Sequence, residues 1–340
     1  MSEFLMKLIN ASGPSGFEKP IRHMIEKEIK KYVDEVKVDK FGNLIAHHKG
    51  KSPAVMLVAH MDEVGLMVRS ISEGGWIYCA EVGGLEPITL MGEHVKIPTK
   101  KGFIRGIITT KEITGEEEMT QVPKMHDLIV DTGLTKKELK KLGVSIGEYM
   151  HIDAEAAYLG NNDIICGKAL DDRLGCFILI ELAKRLQKSK ADLMFVFTVQ
   201  EEVGLYGSKT SMYSINPDWA LVVETTGCDD FDMDKYTKKL GGGPCITVKD
   251  ADMIGNKCIN DLFKEISRKK KIPIQLEVTD LGTTDALSIS VAKGGIPTGV
   301  ISIPIRNIHT TTSIAHRRDI NHAIEIMNEL LKNPPVLCIE

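Results

Sequence analysis

Leu193-Met194-Phe195-Val196-Phe197-Thr198-Val199-Gln200-Glu201-Glu202 is the stretch whose reading decides the fold. An almost wholly apolar run ends abruptly in two adjacent carboxylates. A run without polar alternation is a strand covered on both faces, the environment of a mostly parallel sheet flanked by helices. Carboxylates at the end of such a strand are costly unless something pairs with them. Neighbouring side chains diverge, so one can bind a metal ion while the other faces a reacting water, which divides ligand from general base.

Outward from this stretch the same pattern recurs. Ala54 to Ala59 is an apolar run leading to His60-Met61-Asp62, Ala220 to Val223 leads to Glu224, and Val300 to Arg306 precedes His309. Asp171-Asp172 stands just before the apolar helix expected over Leu174 to Leu186. Each has a plainer reading: a surface turn for His60 and Asp62, a helix N-cap for Asp171, a solvated turn for Glu201 and Glu202, an ordinary polar residue for His309. Together they weigh differently. Hydrophobic strands that end in His, Asp and Glu are what a carboxylate-bridged metal centre at the edge of an α/β sheet needs. His60, Asp171, Glu202, Glu224 and His309 make a set of two imidazoles and three carboxylates, suited to Zn²⁺, Co²⁺ or Mn²⁺. Three carboxylates on two divalent ions leave one positive charge, which a bridging hydroxide would neutralise, and such a hydroxide is the nucleophile of metal-assisted hydrolysis. Asp62, two residues from His60, is placed to orient the imidazole.

The organisation of the chain fits this reading. Helices are expected over Phe17 to Tyr32, Lys257 to Lys270 and Ile320 to Leu331, and strands over Pro53 to His60, Asp192 to Val199, Trp219 to Val223 and Gly299 to Ile305. A hairpin is expected from Glu35 to Val38 and Asn43 to His47. Between them lies a different texture: short strand-like pieces broken by glycine (Trp76 to Cys79, Thr89-Leu90, His94 to Ile97, Gly102 to Thr109) and one helix, Leu134 to Leu142, with Thr135 as N-cap. The expectation is an α/β catalytic domain of residues 1–69 and 164–340, with a β-rich, barrel-like insert at 70–163.

Composition removes several function classes. The net charge of −4 over 340 residues gives no basic face for nucleic acid. Apolar runs are too short to span a bilayer, and no secretory leader is visible at Met1 to Asn10. Seven cysteines without a Cys-x-x-Cys pair read as reduced thiols of a cytoplasmic protein.

The order His-x-Asp, Asp, Glu-Glu, Glu, His resembles the co-catalytic dinuclear metallo-exopeptidases. Within them the chain resembles the tetrahedral (TET) aminopeptidase, or glutamyl aminopeptidase, family along nearly its whole length. The likeness is carried by Ala59 to Gly65, Ala169 to Gly175, Gln200 to Ser208, Gly241 to Pro244, Thr284 to Ala286 and Pro304 to His309. The position of the insert, between Asp62 and Asp171, is that of the family's dimerisation domain. The resemblance implies two divalent ions per subunit, with His60 and His309 each on one ion, Asp171 bridging, Glu202 and Glu224 completing the sites, Glu201 as general base on a metal-bridging water, and Asp62 orienting His60. It implies removal of the N-terminal residue from short peptides with a free amino group, and self-association through the insert into dimers and dodecamers. Glu224 stands where relatives often have Asp. Asn307, Thr310 and the loop Leu281 to Asp285 also depart from the family pattern, near the expected substrate pocket. Two other enzyme readings compete. A glycoside hydrolase would use paired carboxylates but leave both histidines idle, and 5% aromatic residues give little surface for sugar stacking. A deacylase of amino-acid conjugates would share the metal centre. A non-catalytic relative is disfavoured by the complete ligand set.

Overall fold

Alternation of side chains along the central strands builds two layers at once. In the strand Lys51–His60, Val55, Leu57 and Ala59 pack with Trp219, Leu221 and Val223, whereas Met56 and Val58 pack on the opposite face with Ala220 and Val222. Both faces of the sheet are therefore apolar and both are covered. The computed structural model describes residues 3–110, 121–231 and 237–336.

Among the described residues the sheet has eleven strands. At its centre Ala191–Thr198, Lys51–His60, Trp219–Gly227 and Thr298–Arg306 lie side by side and parallel. The hairpin Glu35–Val38 and Leu44–His48 adds one antiparallel edge. Ser313–His316, Ile164–Gly167 and Ala157–Leu159 continue beyond Thr298–Arg306, and Cys245–Lys249 with Gln275–Val278 branches from that same strand. Helices Leu170–Arg185 and Arg317–Lys332 bury one face of the sheet, and the short helices Tyr206–Ser211 and Asp285–Ser290 lie toward the other.

The remaining strands close into a six-stranded antiparallel barrel: Gly65–Ile71, Ile77–Val82, Leu128–Asp131, Gly102–Thr110, His94–Thr99 and Tyr149–Ile152. Leu66, Val68, Ile77, Val95, Ile108, Val130 and Met150 fill its interior. The α/β sheet with a β-rich barrel thus agrees with the expected fold class. The barrel's strands begin at Gly65, a few residues before the expected insert. Leu66 and Val68 face the barrel interior, which is what assigns that strand to it. At the other end, Ala157–Leu159 pairs with the large sheet. Residues 111–120 of the expected insert lie outside the described residues.

Other details differ from the sequence reading. Thr89-Leu90 is not strand but part of a 3-10 turn, Pro87–Leu90, which begins on proline and is tied by the Thr89 hydroxyl donating to the Glu86 carbonyl at 2.8 Å. The expected helix over 17–32 forms at Lys19–Ile29, and Phe17 lies outside it, against the rings of Tyr149 and His151. An additional helix, Glu3–Asn10, buries Leu5, Leu8 and Ile9. Cys258 is disulfide-bonded, contrary to the expectation of reduced thiols throughout, while Cys79, Cys166, Cys176, Cys228 and Cys245 are free. Among the described residues no helix is long and apolar enough to cross a membrane.

Phe197 is fully buried in the strand that ends at the two carboxylates. Phe197→Ala is expected to lower unfolding stability by about 3–5 kcal/mol. Urea denaturation measures this, and a loss below ~1 kcal/mol would show that the sheet does not depend on that contact.

Candidate metal centre

Because the four central strands are parallel, their C-terminal ends share one edge, the place where open α/β sheets hold ligands. His60 is the last residue of its strand, directly beside Thr198. Glu201 and Glu202 follow Thr198 in a turn, Glu224 lies in Trp219–Gly227, and His309 stands three residues beyond Arg306. Asp171 and Asp172 open the helix Leu170–Arg185 with non-helical backbone, after Ala169 in the left-handed region at φ 53°. Five segments far apart in sequence meet here.

The distances sort them into two groups joined by one carboxylate. His60 Nε2 lies 3.3 Å from Asp171 Oδ1 and 3.4 Å from Glu224 Oε1. His309 Nε2 lies 3.1 Å from Asp171 Oδ2 and 3.4 Å from Glu202 Oε2. Looser sets within 4.8 Å also form, His60 with Asp171 and Glu202, and His60 with Asp172 and Glu224. The shorter contacts define the pairing more sharply, because ligands about 2.0–2.1 Å from a tetrahedral ion stand roughly 3.3 Å apart. Asp171 Oδ1 and Glu202 Oε1 are buried and accept no hydrogen bond. Buried carboxylate oxygens without donors, beside imidazole nitrogens that stand at ligand-to-ligand spacing from the same two carboxylates, fit a pair of divalent cations.

The electrostatics point the same way. Burial, reinforced by Asp171, pushes the Glu202 carboxyl up to about 8, and burial pushes Glu224 up to about 7. Burial, with Glu224 close by, raises Glu201 and Asp172 well above the carboxylate range. Burial opposes charge on His309 as well, but Asp171 and Glu202 override it and lift the imidazole to about 9. His60 is raised well above its usual value by Glu224 and Asp171, again against its burial. Asp171 itself is buried, yet His309 and His60 hold it well below the ordinary range. So many acids in one dry corner cannot all ionise without positive charge among them.

The turn carrying Glu201 and Glu202 is fixed from beneath. The Asp62 carboxylate accepts the main-chain N–H groups of Glu201 (3.0 Å) and Glu202 (3.2 Å) and the Ser15 hydroxyl (2.6 Å). Glu18 accepts the N–H of Gln200, and Asn43 binds both Val199 N–H and the Gly207 carbonyl. Asp285 accepts the hydroxyls of Thr198 and Ser208. Asp62 therefore meets His60 chiefly through its main-chain oxygen, 3.1 Å from Nδ1, with the carboxylate at 3.5 Å. Its carboxylate is drawn to the N–H donors of the turn.

Behind the next residue lies a buried ion cluster. Lys168 donates to both oxygens of Glu63, at 2.8 and 2.5 Å, and Arg173, fully buried, donates to the carbonyls of Met61, Leu8 and Ala11. The barrel closes the other side. Gly83, at φ +81°, sits where a Cβ would come 3.2 Å from the Glu202 Cβ, and Glu93 accepts the Thr311 hydroxyl at 2.8 Å, two residues from His309.

All seven residues singled out in the sequence are at this edge. Asp172, Asp285, Glu63, Lys168, Ser15 and Glu18 gained no role from sequence. Asp172, Asp285 and Glu63 lie within quoted motifs, and that adjacency was the only signal. The others act through contacts that no local pattern records.

Comparison with known proteins agrees with the geometry. Residues 42–326 match the family model described as M42 glutamyl aminopeptidase. The lysyl aminopeptidase of Pyrococcus furiosus is 33% identical over 337 residues, covering 97% of this chain and 96% of that protein. The structure of aminopeptidase APDkam598 from the archaeon Desulfurococcus kamchatkensis superposes with a TM-score of 0.93 at 34% identity, covering 98% and 95% of the two chains. The TET1 peptidase of Pyrococcus horikoshii, which can assemble into a tetrahedron or a large octahedral shell, gives 0.87 at 32% identity, covering 97% and 98%.

The ion cluster generates a stability test. Lys168→Met leaves Glu63 buried without its closest cation, and about 3 kcal/mol of unfolding stability should be lost. Chemical denaturation showing a change under ~1 kcal/mol would mean that Arg173 and the Gly13 N–H, 2.8 Å from Glu63, hold the carboxylate unaided.

Proposed function

The chain belongs to the M42 glutamyl aminopeptidase family and is a metallo-aminopeptidase; on that premise we propose that it removes the first residue of short peptides with a free N-terminus, using Glu201 as general base. The observation that carries the reading is Asp171, one oxygen turned to His60 and the other to His309. His60 with Glu224 would hold one divalent ion and His309 with Glu202 the other, Asp171 bridging; zinc and cobalt suit the donors best, with manganese next. A bound ion pair would polarise the scissile carbonyl and acidify the attacking water.

The chain's own groups do the rest. Glu201 makes no hydrogen bond with the described residues through its carboxylate, and it lines the cavity in front of the metal centre. It is therefore free to take a proton from the attacking water and return it to the leaving amine. Asp62 positions it by gripping its main-chain N–H. The carboxylate-lined cavity favours a free amino terminus and offers nothing to a blocked one, which accounts for cleavage from the end of the chain. A glycoside hydrolase reading is weaker, since it leaves His60 and His309 without a part.

We assign the cytoplasm as the site of action. We divide the chain into a catalytic part, residues 1–69 and 164–340, and an inserted part, 70–163, whose barrel mediates pairing of subunits and, through it, dodecamers. Phe103 and Ile107, exposed on the barrel, support that assignment, as does the assembly of the Pyrococcus horikoshii relative.

Three experiments test the assignment. Glu201→Gln should keep its metal, measured by elemental analysis, and lose at least ~10²-fold in kcat on unblocked aminoacyl chromogenic amides. Normal turnover by that variant would remove Glu201 from the mechanism. Chelation should abolish hydrolysis, added Co²⁺ or Zn²⁺ should restore it, and N-acetylated substrates should stay uncleaved. Cleavage of the acetylated forms would favour a deacylase instead. Asp171→Asn should bind fewer than two ions per chain; full occupancy would refute the bridge.

A further inference from the structure

The cavity in front of the metal centre, about 550 Å³, extends to a wall formed by the strands Cys245–Lys249 and Gln275–Val278 and the segments after them. Three ionisable side chains stand on that side: Lys238, Asp250 and Glu277. Two of them cancel. The Lys238 ammonium contacts Glu277 Oε1 and donates to the Thr226 hydroxyl at 2.9 Å. Thr226 and Thr247 donate to the two Glu277 oxygens at 2.6 and 2.8 Å. Both carboxylate oxygens are thereby satisfied.

Asp250 is different. It is 4% exposed, and its Oδ1 accepts the N–H groups of Asp252 (2.9 Å) and Met253 (2.7 Å), which hold the carboxylate in one orientation. Its Oδ2 is buried and has no partner. The adjacent cation is engaged elsewhere: Lys249 donates to the carbonyls of Asp250 and Thr279 and to the Asp280 carboxylate at 2.7 Å. Burial raises the Asp250 pKa, as it does for a carboxylate that meets no cation. The hydroxyls of Thr225 and Thr283, on the same cavity, also lack partners.

A preoriented carboxylate oxygen with an unmet hydrogen bond, away from the metal ligands, is a receptor for a charged donor. Resting on the aminopeptidase reading, we propose that Asp250 determines specificity by receiving the cationic side chain of an N-terminal lysine or arginine. An acidic first residue would meet the opposite situation. Among the described residues lining the cavity beyond the metal centre, the one ammonium is already paired with Glu277, and Asp250 would repel the incoming carboxylate. An apolar first residue leaves Asp250 as unpartnered as before, so it gains nothing from this wall.

The test is kcat/KM on unblocked lysyl, arginyl, leucyl and glutamyl chromogenic amides, for the metal-loaded wild type and for Asp250→Asn. In the wild type the basic substrates should exceed the leucyl one by about tenfold or more, with the glutamyl one lowest. In Asp250→Asn the lysyl-to-leucyl ratio should fall about tenfold, chiefly through KM. A wild type that prefers the glutamyl substrate, or a variant that keeps the wild-type ratio, overturns the assignment. The wild-type panel decides the preference even if the variant does not fold. Hydrolysis of the leucyl substrate without a basic preference sinks Asp250 alone, whereas a loaded enzyme that cleaves none of the four sinks the aminopeptidase reading as well.

Discussion

Mutual repulsion among buried carboxylates is the constraint on which this structure turns. Asp171, Asp172, Glu201, Glu202 and Glu224 converge on one corner from which water is largely removed, and among the described residues two imidazoles are the only basic side chains interleaved with them at contact distance. A fold that tolerates this gathering must hold the acids in place against their own repulsion and must admit positive charge between them. The parallel centre of the sheet meets the first need, because four strand ends deliver their side chains to one edge from a rigid, doubly covered layer. Divalent cations held between the acids and the imidazoles would meet the second.

Much of the surrounding hydrogen bonding serves the same end. Asp62, Asp285, Asn43 and Glu18 all bind main-chain or hydroxyl groups of the turn between Thr198 and Ser208, so the segment bearing Glu201 and Glu202 is tied at several points. Lys168, Glu63 and Arg173 join the strand end after His60 to the start of the helix after Asp171 and to the N-terminal helix. The barrel takes part too. Its Glu93 holds the segment of His309 through Thr311, and Gly83 allows its backbone to approach Glu202. The inserted barrel is thus one wall of the chemical site as well as a surface exposed to other molecules.

The sequence made the centre of the sheet legible because buried parallel strands are continuous apolar runs. Ala54 to Ala59, Leu193 to Val199, Trp219 to Val223 and Gly299 to Ile305 all became strands. Helix Lys257–Lys270 appeared with the expected bounds, and Thr135 caps Lys136–Leu142 as its hydroxyl suggested. Legibility failed where local pattern and tertiary context part company. The short strands Leu128–Asp131 and Tyr149–Ile152 need their barrel neighbours to exist, and Thr89-Leu90 yields to Pro87. A disulfide at Cys258 left no trace in cysteine spacing.

By itself the sequence determined which groups could do chemistry here: two histidines and several acids, each beside an apolar segment whose burial makes a bare charge expensive. That is a statement about composition and local order, and it carries through any packing. Only the tertiary structure decided how those groups pair, because the pairing depends on strand register and on which edge of the sheet each segment reaches. It divided Asp171 between His60 and His309, turned the Asp62 carboxylate toward the main chain of Glu201 and Glu202, and left one oxygen of Asp250 without a partner while Glu277 kept Lys238. Contacts between residues a hundred or more positions apart are set by the closing of the sheet and barrel, and no spacing along the chain encodes them.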